Sequence, residues 1–161
     1  MMKNIINQLV DLGGFYWVRT IRKNAVKIYQ DDETFTIGKA KVLRESKDAN
    51  SIMVAEAFKV AEILTQQGIQ VSVIDMFTLK PIDKECIIKY AQLTVKVVTC
   101  ENHSIENGLG SAFAEELSEH CPTPLRRISI KNCYGQVGTL DFLIKEYELT
   151  AENIVKQVVS F

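Results

Sequence analysis

An excess of either charge is what this sequence lacks. Its 19 basic and 20 acidic side chains nearly cancel, for a formal net charge of −1, and so balanced a surface carries no field strong enough to gather a polyanion. Nucleic acid is not expected as a partner. Missing too is any apolar run approaching the ~20 residues that span a bilayer, and the opening residues carry Asn4, Asn7 and Asp11 where a leader would have a basic start and a greasy stretch. No membrane partner is expected, and the chain reads as cytoplasmic. Cysteine is sparse: Cys86, Cys100, Cys121 and Cys133 share no CxxC spacing, and only His103 and His120 could join them as imidazole ligands. No metal site is expected from that scatter. Cys86 and Cys100 lie in apolar stretches, where a thiol reads as a small buried hydrophobe kept reduced. Internal repeats and low-complexity tracts are absent as well.

What is present suits one domain with a short appendage. A chain of 161 residues that is 47% hydrophobic can bury a core without disulfides or metal. From Ser51 onward the hydrophobic period alternates between about 3.6 and continuous apolar runs, the mark of helices alternating with buried parallel strands. Ser51 to Gln67 puts Met53, Ala57, Val60 and Leu64 on one helical stripe, with Gly68 where a C′ residue belongs. Ile69 to Phe77 is rich in β-branched residues, and after Lys80-Pro81-Ile82 the carboxylate of Asp83 is placed to cap a helix through Tyr90.

The unit recurs downstream. Val95 to Cys100 reads as a strand, Glu101 to Asn107 as a polar loop, and Gly108 to His120 as a helix burying Leu109, Ala112, Phe113 and Leu117. Leu125 to Ile130, a loop from Lys131 to Gly138, and a helix from Leu140 to Tyr147 repeat the pattern. Thr150 then caps a last helix carrying Ile154, Val155 and Val158. Right-handed crossovers would bring the loops that follow the strands to one edge of a sheet, and that edge is the expected place for a site. The first part differs. Met1 to Leu12 looks helical, Gly14 to Thr20 looks like an isolated strand, and Asn24 to Glu33 is a polar connector. Thr34 to Arg44 reads as a further strand, with Gly38 marking a bulge. A lone strand and helix cannot bury both faces of anything, so residues 1–33 read as the remnant of a neighbouring domain plus linker, and 34–161 as the domain itself.

One loop stands out chemically: Glu101-Asn102-His103-Ser104-Ile105-Glu106-Asn107-Gly108-Leu109-Gly110-Ser111. It leaves a buried strand, presents a carboxylate and an imidazole, and enters a helix through two glycines. Glu101, His103, Gly108, Gly110 and Ser111 thus form a candidate anion or interface site, because glycine lets backbone amides approach a ligand and the helix start favours negative charge. The same glycines also permit close helix–strand packing, and Glu101 is equally read as the partner of backbone amides. His103 has the right pKa range for acid–base work, but no nucleophile or second catalytic group lies in sequence reach, so no catalytic residue is assigned. His120 falls in the last turn of its helix, where a cation complements the dipole. Arg22, at the end of the isolated strand, is either a bidentate phosphate clamp or a solvated charge beside Lys23.

The order of these segments resembles the end of the transketolase family. The resemblance rests on Phe35-Thr36-Ile37-Gly38 through Arg44-Glu45, Ser51 through Ala57, and Met76-Phe77-Thr78-Leu79-Lys80-Pro81-Ile82-Asp83. It continues through Thr99-Cys100-Glu101-Asn102-His103-Ser104, Gly108-Leu109-Gly110-Ser111-Ala112, Tyr134-Gly135-Gln136-Val137-Gly138 and Leu149-Thr150-Ala151-Glu152-Asn153-Ile154. It spans about Gly14 to the C-terminus, and several ordered signatures are more specific than any one.

The resemblance implies a three-layer α/β/α sandwich around a mostly parallel sheet of about five strands, the first antiparallel. It implies that Gly14 to Arg22 is similar to the last strand of the preceding pyrimidine-binding domain, and that Arg22 grips the phosphate of the sugar substrate in the intact enzyme. The implied activity is transfer of a two-carbon ketol unit between phosphosugars, as in the pentose phosphate pathway, with thiamine diphosphate and Mg²⁺ as cofactors. The Gly-Asp-Gly stretch with a later Asn that holds them in the family has no counterpart here, so the cofactor is expected on N-terminal transketolase domains or a partner subunit, and the chain alone is expected to be inactive. A dimer or other homo-oligomer is implied too. Similar domains close the deoxyxylulose-phosphate synthases and the β subunits of 2-oxoacid dehydrogenases, and a non-catalytic dimerisation or regulatory module, using the edge around His103 and Tyr134 to Gly138, is a further alternative. Two features depart from the family pattern. Asn107 stands where glycine is common, a residue that still tolerates a left-handed backbone. Lys47-Asp48 runs into Ala49-Asn50-Ser51 with no apolar run where the family places a buried strand, so a central strand is absent or the sheet is rearranged.

Overall fold

The computed structural model describes residues 1–12, 14–18, 28–45 and 54–161. In chain order the elements are α1 (Met2–Asp11), β1 (Lys41–Arg44), α2 (Val54–Gln66), β2 (Val73–Asp75), α3 (Lys84–Leu93), β3 (Val97–Ser104), α4 (Leu109–His120), β4 (Leu125–Ile130), α5 (Leu140–Glu146) and α6 (Ala151–Val159). This is the α/β alternation that the periodicity dictates. Local chemistry sets the boundaries. Asp83 accepts from the Cys86 amide to start α3, Thr139 from Phe142 to start α5, and Thr150 from Asn153 to start α6. Gly68 ends α2 with φ of +79°, the left-handed cap expected there.

Helices cover both sides of the strands. On one side Ala57, Val60 and Leu64 of α2 meet Ile154 and Val158 of α6 over Val71, Val73, Val98 and Cys100. On the other, Ile87 and Ala91 of α3 meet Phe113 and Leu117 of α4 over Met76 and Val97. Each fully buried Leu, Ile or Val in such a cluster contributes roughly 1.5–3 kcal/mol relative to exposure. The result is a three-layer α/β/α arrangement, the expected fold class.

The strands depart from the expected sheet. Among the described residues they form two pairs, β1 with β2 antiparallel and β3 with β4 parallel. The antiparallel first strand is the one expected; no ladder joins β2 to β3. Three strand limits also shift. Only Lys41–Arg44 of the stretch Thr34 to Arg44 is a strand, because the backbone of the earlier part is held by side chains of α1: Asn4 accepts from the Phe35 amide at 3.3 Å and Gln8 from the Ile37 amide at 3.2 Å. Gly38 makes no bulge; it is the φ +80° corner of a turn closed by Lys39 N–H to Thr36 O at 3.1 Å, and the ladder irregularity falls between Val42 and Arg44. β2 is shorter than Ile69 to Phe77 because its partner β1 is four residues long. β3, by contrast, runs on through Glu101, Asn102 and His103 to Ser104, which pairs with Ile130, so polar residues read as loop are strand.

At the N-terminal end Ile5 of α1 packs with Tyr29 and Phe35 in a third cluster that reaches Phe77. The rings of Tyr29 and Phe35 meet edge to face at 4.8 Å, those of Phe35 and Phe77 at 5.4 Å. Gly14 to Val18, expected as strand, have no ladder partner among the described residues and are not one, and Phe15 and Trp17 are fully exposed. Arg19, Thr20 and Arg22 lie outside the described residues.

Candidate functional site

The strand-end edge is built from β3 and the start of α4. Glu101 closes the buried run Val97–Cys100 and is itself buried. Its carboxylate turns onto α4, where Oε2 accepts from the Leu109 amide at 2.8 Å and Oε1 from the Gly110 amide at 2.9 Å. First-turn amides have no acceptor within their own helix, so this side chain satisfies two of them and sets a negative charge against the positive end of the dipole. The glycines follow from that contact. A Cβ on Gly108 would stand 2.1 Å from Glu101 Oε2, and one on Gly110 would stand 2.6 Å from Arg127 Cδ. Of the two readings the glycines carry, close packing is the one this geometry uses, and an outside anion would have to displace Glu101.

The rest of the loop is tightly held. Asn107 has φ of +58°, the left-handed conformation that asparagine accommodates. Its amide donates to Ser111 Oγ at 3.1 Å, Ser111 Oγ donates to Ile105 O at 3.3 Å, and Arg127 reaches the same carbonyl at 3.1 Å. His103 is exposed, and its one hydrogen-bond contact among the described residues is the neighbouring Ser104 carbonyl at 3.3 Å. The structure thus brings Glu101, Gly108, Gly110 and Ser111 together and leaves His103 outside their hydrogen bonds. His120 lies 3.6 Å from the buried Glu116, which Lys84 pairs at 2.9 Å. Among the described residues no group of three His, Cys, Asp or Glu side chains is placed to hold a metal.

Glu101, His103 and Gly108 form one wall of a cleft of about 440 Å³ whose other wall is the end of β2, with Asp75 and Phe77. Here sequence reasoning overlooked a pair. Tyr29, from the polar connector, donates its hydroxyl hydrogen to Asp75 Oδ2. Burial pushes the Asp75 carboxyl above its ordinary value, opposed by the Tyr29 hydrogen bond and the Lys41 charge; burial, then the bond to Asp75, raises the Tyr29 phenol well beyond the physiological range. A signal existed. Asp75 is the one acid in Ile69 to Phe77, and Tyr29 the one aromatic in the connector. An acid inside an apolar strand needs a donor.

The description "Transketolase, C-terminal domain" matches residues 38–154. The chain belongs to the transketolase family, as its C-terminal domain. It is 45% identical over 153 residues to the 6-deoxy-6-sulfo-D-fructose transketolase subunit SqwH of Clostridium sp., covering 92% of this chain and 48% of that protein. It is 34% identical over 164 residues to the 1-deoxy-D-xylulose-5-phosphate synthase of Heliobacterium modesticaldum, covering 96% of this chain and 25% of that one. A solved structure described as a split gene transketolase, inactive beta4 tetramer, superposes with a TM-score of 0.93 at 36% identity, over 98% of this chain and 53% of the other. This transketolase C-terminal domain spans about half the length of the first of these relatives and of the solved chain.

Proposed function

We propose that this chain is the C-terminal portion of a thiamine-diphosphate-dependent transketolase whose cofactor and catalytic groups lie on domains outside these residues. The observation that carries the reading is the whole-chain superposition, at a TM-score of 0.93, on a split-gene transketolase chain described as an inactive tetramer. On this reading the domain supports assembly with a partner carrying the N-terminal domains, and the assembled enzyme moves a two-carbon ketol unit between phosphosugars. Arg22 holds the substrate phosphate in that assembly. A guanidinium at such a place makes paired, charge-assisted hydrogen bonds to phosphate oxygens, which a lysine or alanine cannot reproduce.

The test is to titrate thiamine diphosphate with Mg²⁺ into the chain alone, into the candidate partner alone, and into their mixture. Calorimetry is expected to show no heat with the chain alone and saturable binding in the mixture, with co-elution of the two polypeptides. Cofactor binding by the chain alone would remove the basis for placing that site elsewhere.

A further inference from the structure

Asparagine is among the chemically labile residues, and of the eight asparagines in this sequence Asn107 alone precedes glycine. It sits at the left-handed corner, φ +58°, between the end of β3 and the start of α4. We propose that Asn107–Gly108 is a self-modification site, where the folded chain loses the Asn107 side-chain amide and gains aspartate or isoaspartate at the start of α4.

Three observations carry this. The Asn107 side chain is exposed; its backbone amide is tied to Ser111 Oγ at 3.1 Å, while its carboxamide makes no hydrogen bond among the described residues and can turn onto the next nitrogen. Second, that nitrogen is unengaged. Gly108 is the N-cap of α4, where N–H groups have no partner within the helix. Glu101 takes the next two amides, of Leu109 and Gly110, and the Gly108 N–H makes no hydrogen bond among the described residues. Third, the packing enforces glycine at 108, since a Cβ there would stand 2.1 Å from Glu101 Oε2, so no side chain shields the nitrogen. Gly108 is buried, but the attack comes from the adjoining residue and needs no path from solvent.

The step balances with water as its one co-reactant. The Gly108 nitrogen attacks the Asn107 side-chain carbonyl carbon and closes a five-membered imide. The bond to Nδ2 breaks, and ammonia leaves with the Gly108 amide hydrogen. Water then opens the imide at either carbonyl, giving aspartate or isoaspartate with no change in oxidation state. Either product adds a carboxylate next to the residue that Glu101 packs against. Isoaspartate also lengthens the main chain by one carbon at the corner, which draws Gly108 off Glu101 and loosens the carboxylate's hold on Leu109 and Gly110.

The site does not depend on the proposed activity, and its test needs no cofactor. The full chain is held in warm, mildly alkaline buffer and sampled over time by peptide mass mapping, beside an Asn107→Gln variant and the parent unfolded in urea. In the folded parent Asn107 is expected to be the first asparagine lost, with release of ammonia and a mixture of aspartate and isoaspartate. As isoaspartate accumulates, hydrogen exchange at Leu109 and Gly110 is expected to quicken. The glutamine variant, which would have to close a larger ring, is expected to keep residue 107 and the exchange of those amides unchanged over the same time. Persistence of Asn107 in the folded parent while it converts in urea, or earlier loss of another asparagine, would overturn the site. Conversion without faster exchange would overturn the loosening of α4.

Discussion

Tyr29 donates its phenolic hydrogen to the Asp75 carboxylate, and that one bond ties the connector before β1 to the far end of β2. Tyr29→Phe keeps the ring packed edge to face on Phe35 but leaves the half-buried Asp75 carboxyl without its donor. The expected loss is about 1–3 kcal/mol of folding stability. Urea midpoints of the two proteins check it, and an unchanged midpoint would show that the bond contributes nothing.

Asp75 also gives the fold a pH dependence of definite sign. Its folded-state pKa is raised above the ordinary 3.8, chiefly by burial. The native state therefore holds the proton more tightly than the unfolded chain. The contribution is fully present below the ordinary value and is lost as pH rises through the raised one. Asp75→Asn cannot ionise and still accepts from Tyr29. The stability of this variant relative to the parent is expected to grow from about pH 4 towards about pH 7, measured by denaturant unfolding at each pH. A flat difference would mean that Asp75 titrates alike in both states.

The Glu101–Gly108 contact calls for a double-mutant cycle. Glu101→Ala strands the Leu109 and Gly110 amides and is expected to cost about 1–3 kcal/mol. Gly108→Ala drives a methyl into the same carboxylate, with a Cβ only 2.1 Å from Oε2, and is expected to cost a similar amount. Combined, the two substitutions are expected to cost well under their sum, because each removes the same contact. Additive costs would show that the glycine is needed for another reason.

In the reconstituted enzyme Arg22→Ala is expected to weaken phosphosugar binding roughly ten- to hundredfold, as loss of charge-assisted hydrogen bonds implies. Steady-state kinetics would show this as a raised KM for the phosphorylated acceptor, with little change for an unphosphorylated analogue. Equal losses on both acceptors would argue against a phosphate role.

Helices were legible because their signals are local. The stripe Ala57, Val60 and Leu64 is wholly buried, and Asp83, Thr139 and Thr150 cap the helices they precede. Strand limits were less so, since they depend on partners that sequence does not display. Thr34 to Ala40 has strand composition, yet Asn4 and Gln8 take backbone bonds from it. Glu101 to His103 has loop composition, yet β3 continues through them because the Glu101 carboxylate is tied to α4 and Ser104 pairs with Ile130. The missing apolar run before Ser51 was visible in the sequence; residues 46–53 lie outside the described ones, among which no ladder joins β2 to β3. Within the site the glycines and Glu101 were found, with packing and anion binding both open. The Tyr29–Asp75 bond was not, because it joins residues 46 positions apart.

That this transketolase C-terminal domain works only in company is addressed most directly by one assay. Ketol transfer is measured with thiamine diphosphate and Mg²⁺ for the purified chain, for the candidate partner carrying the N-terminal domains, and for the two together. Activity in the mixture and none in either component is the expected result. Turnover by this chain alone would contradict the account, since the cofactor site and catalytic groups would then have to lie within these 161 residues.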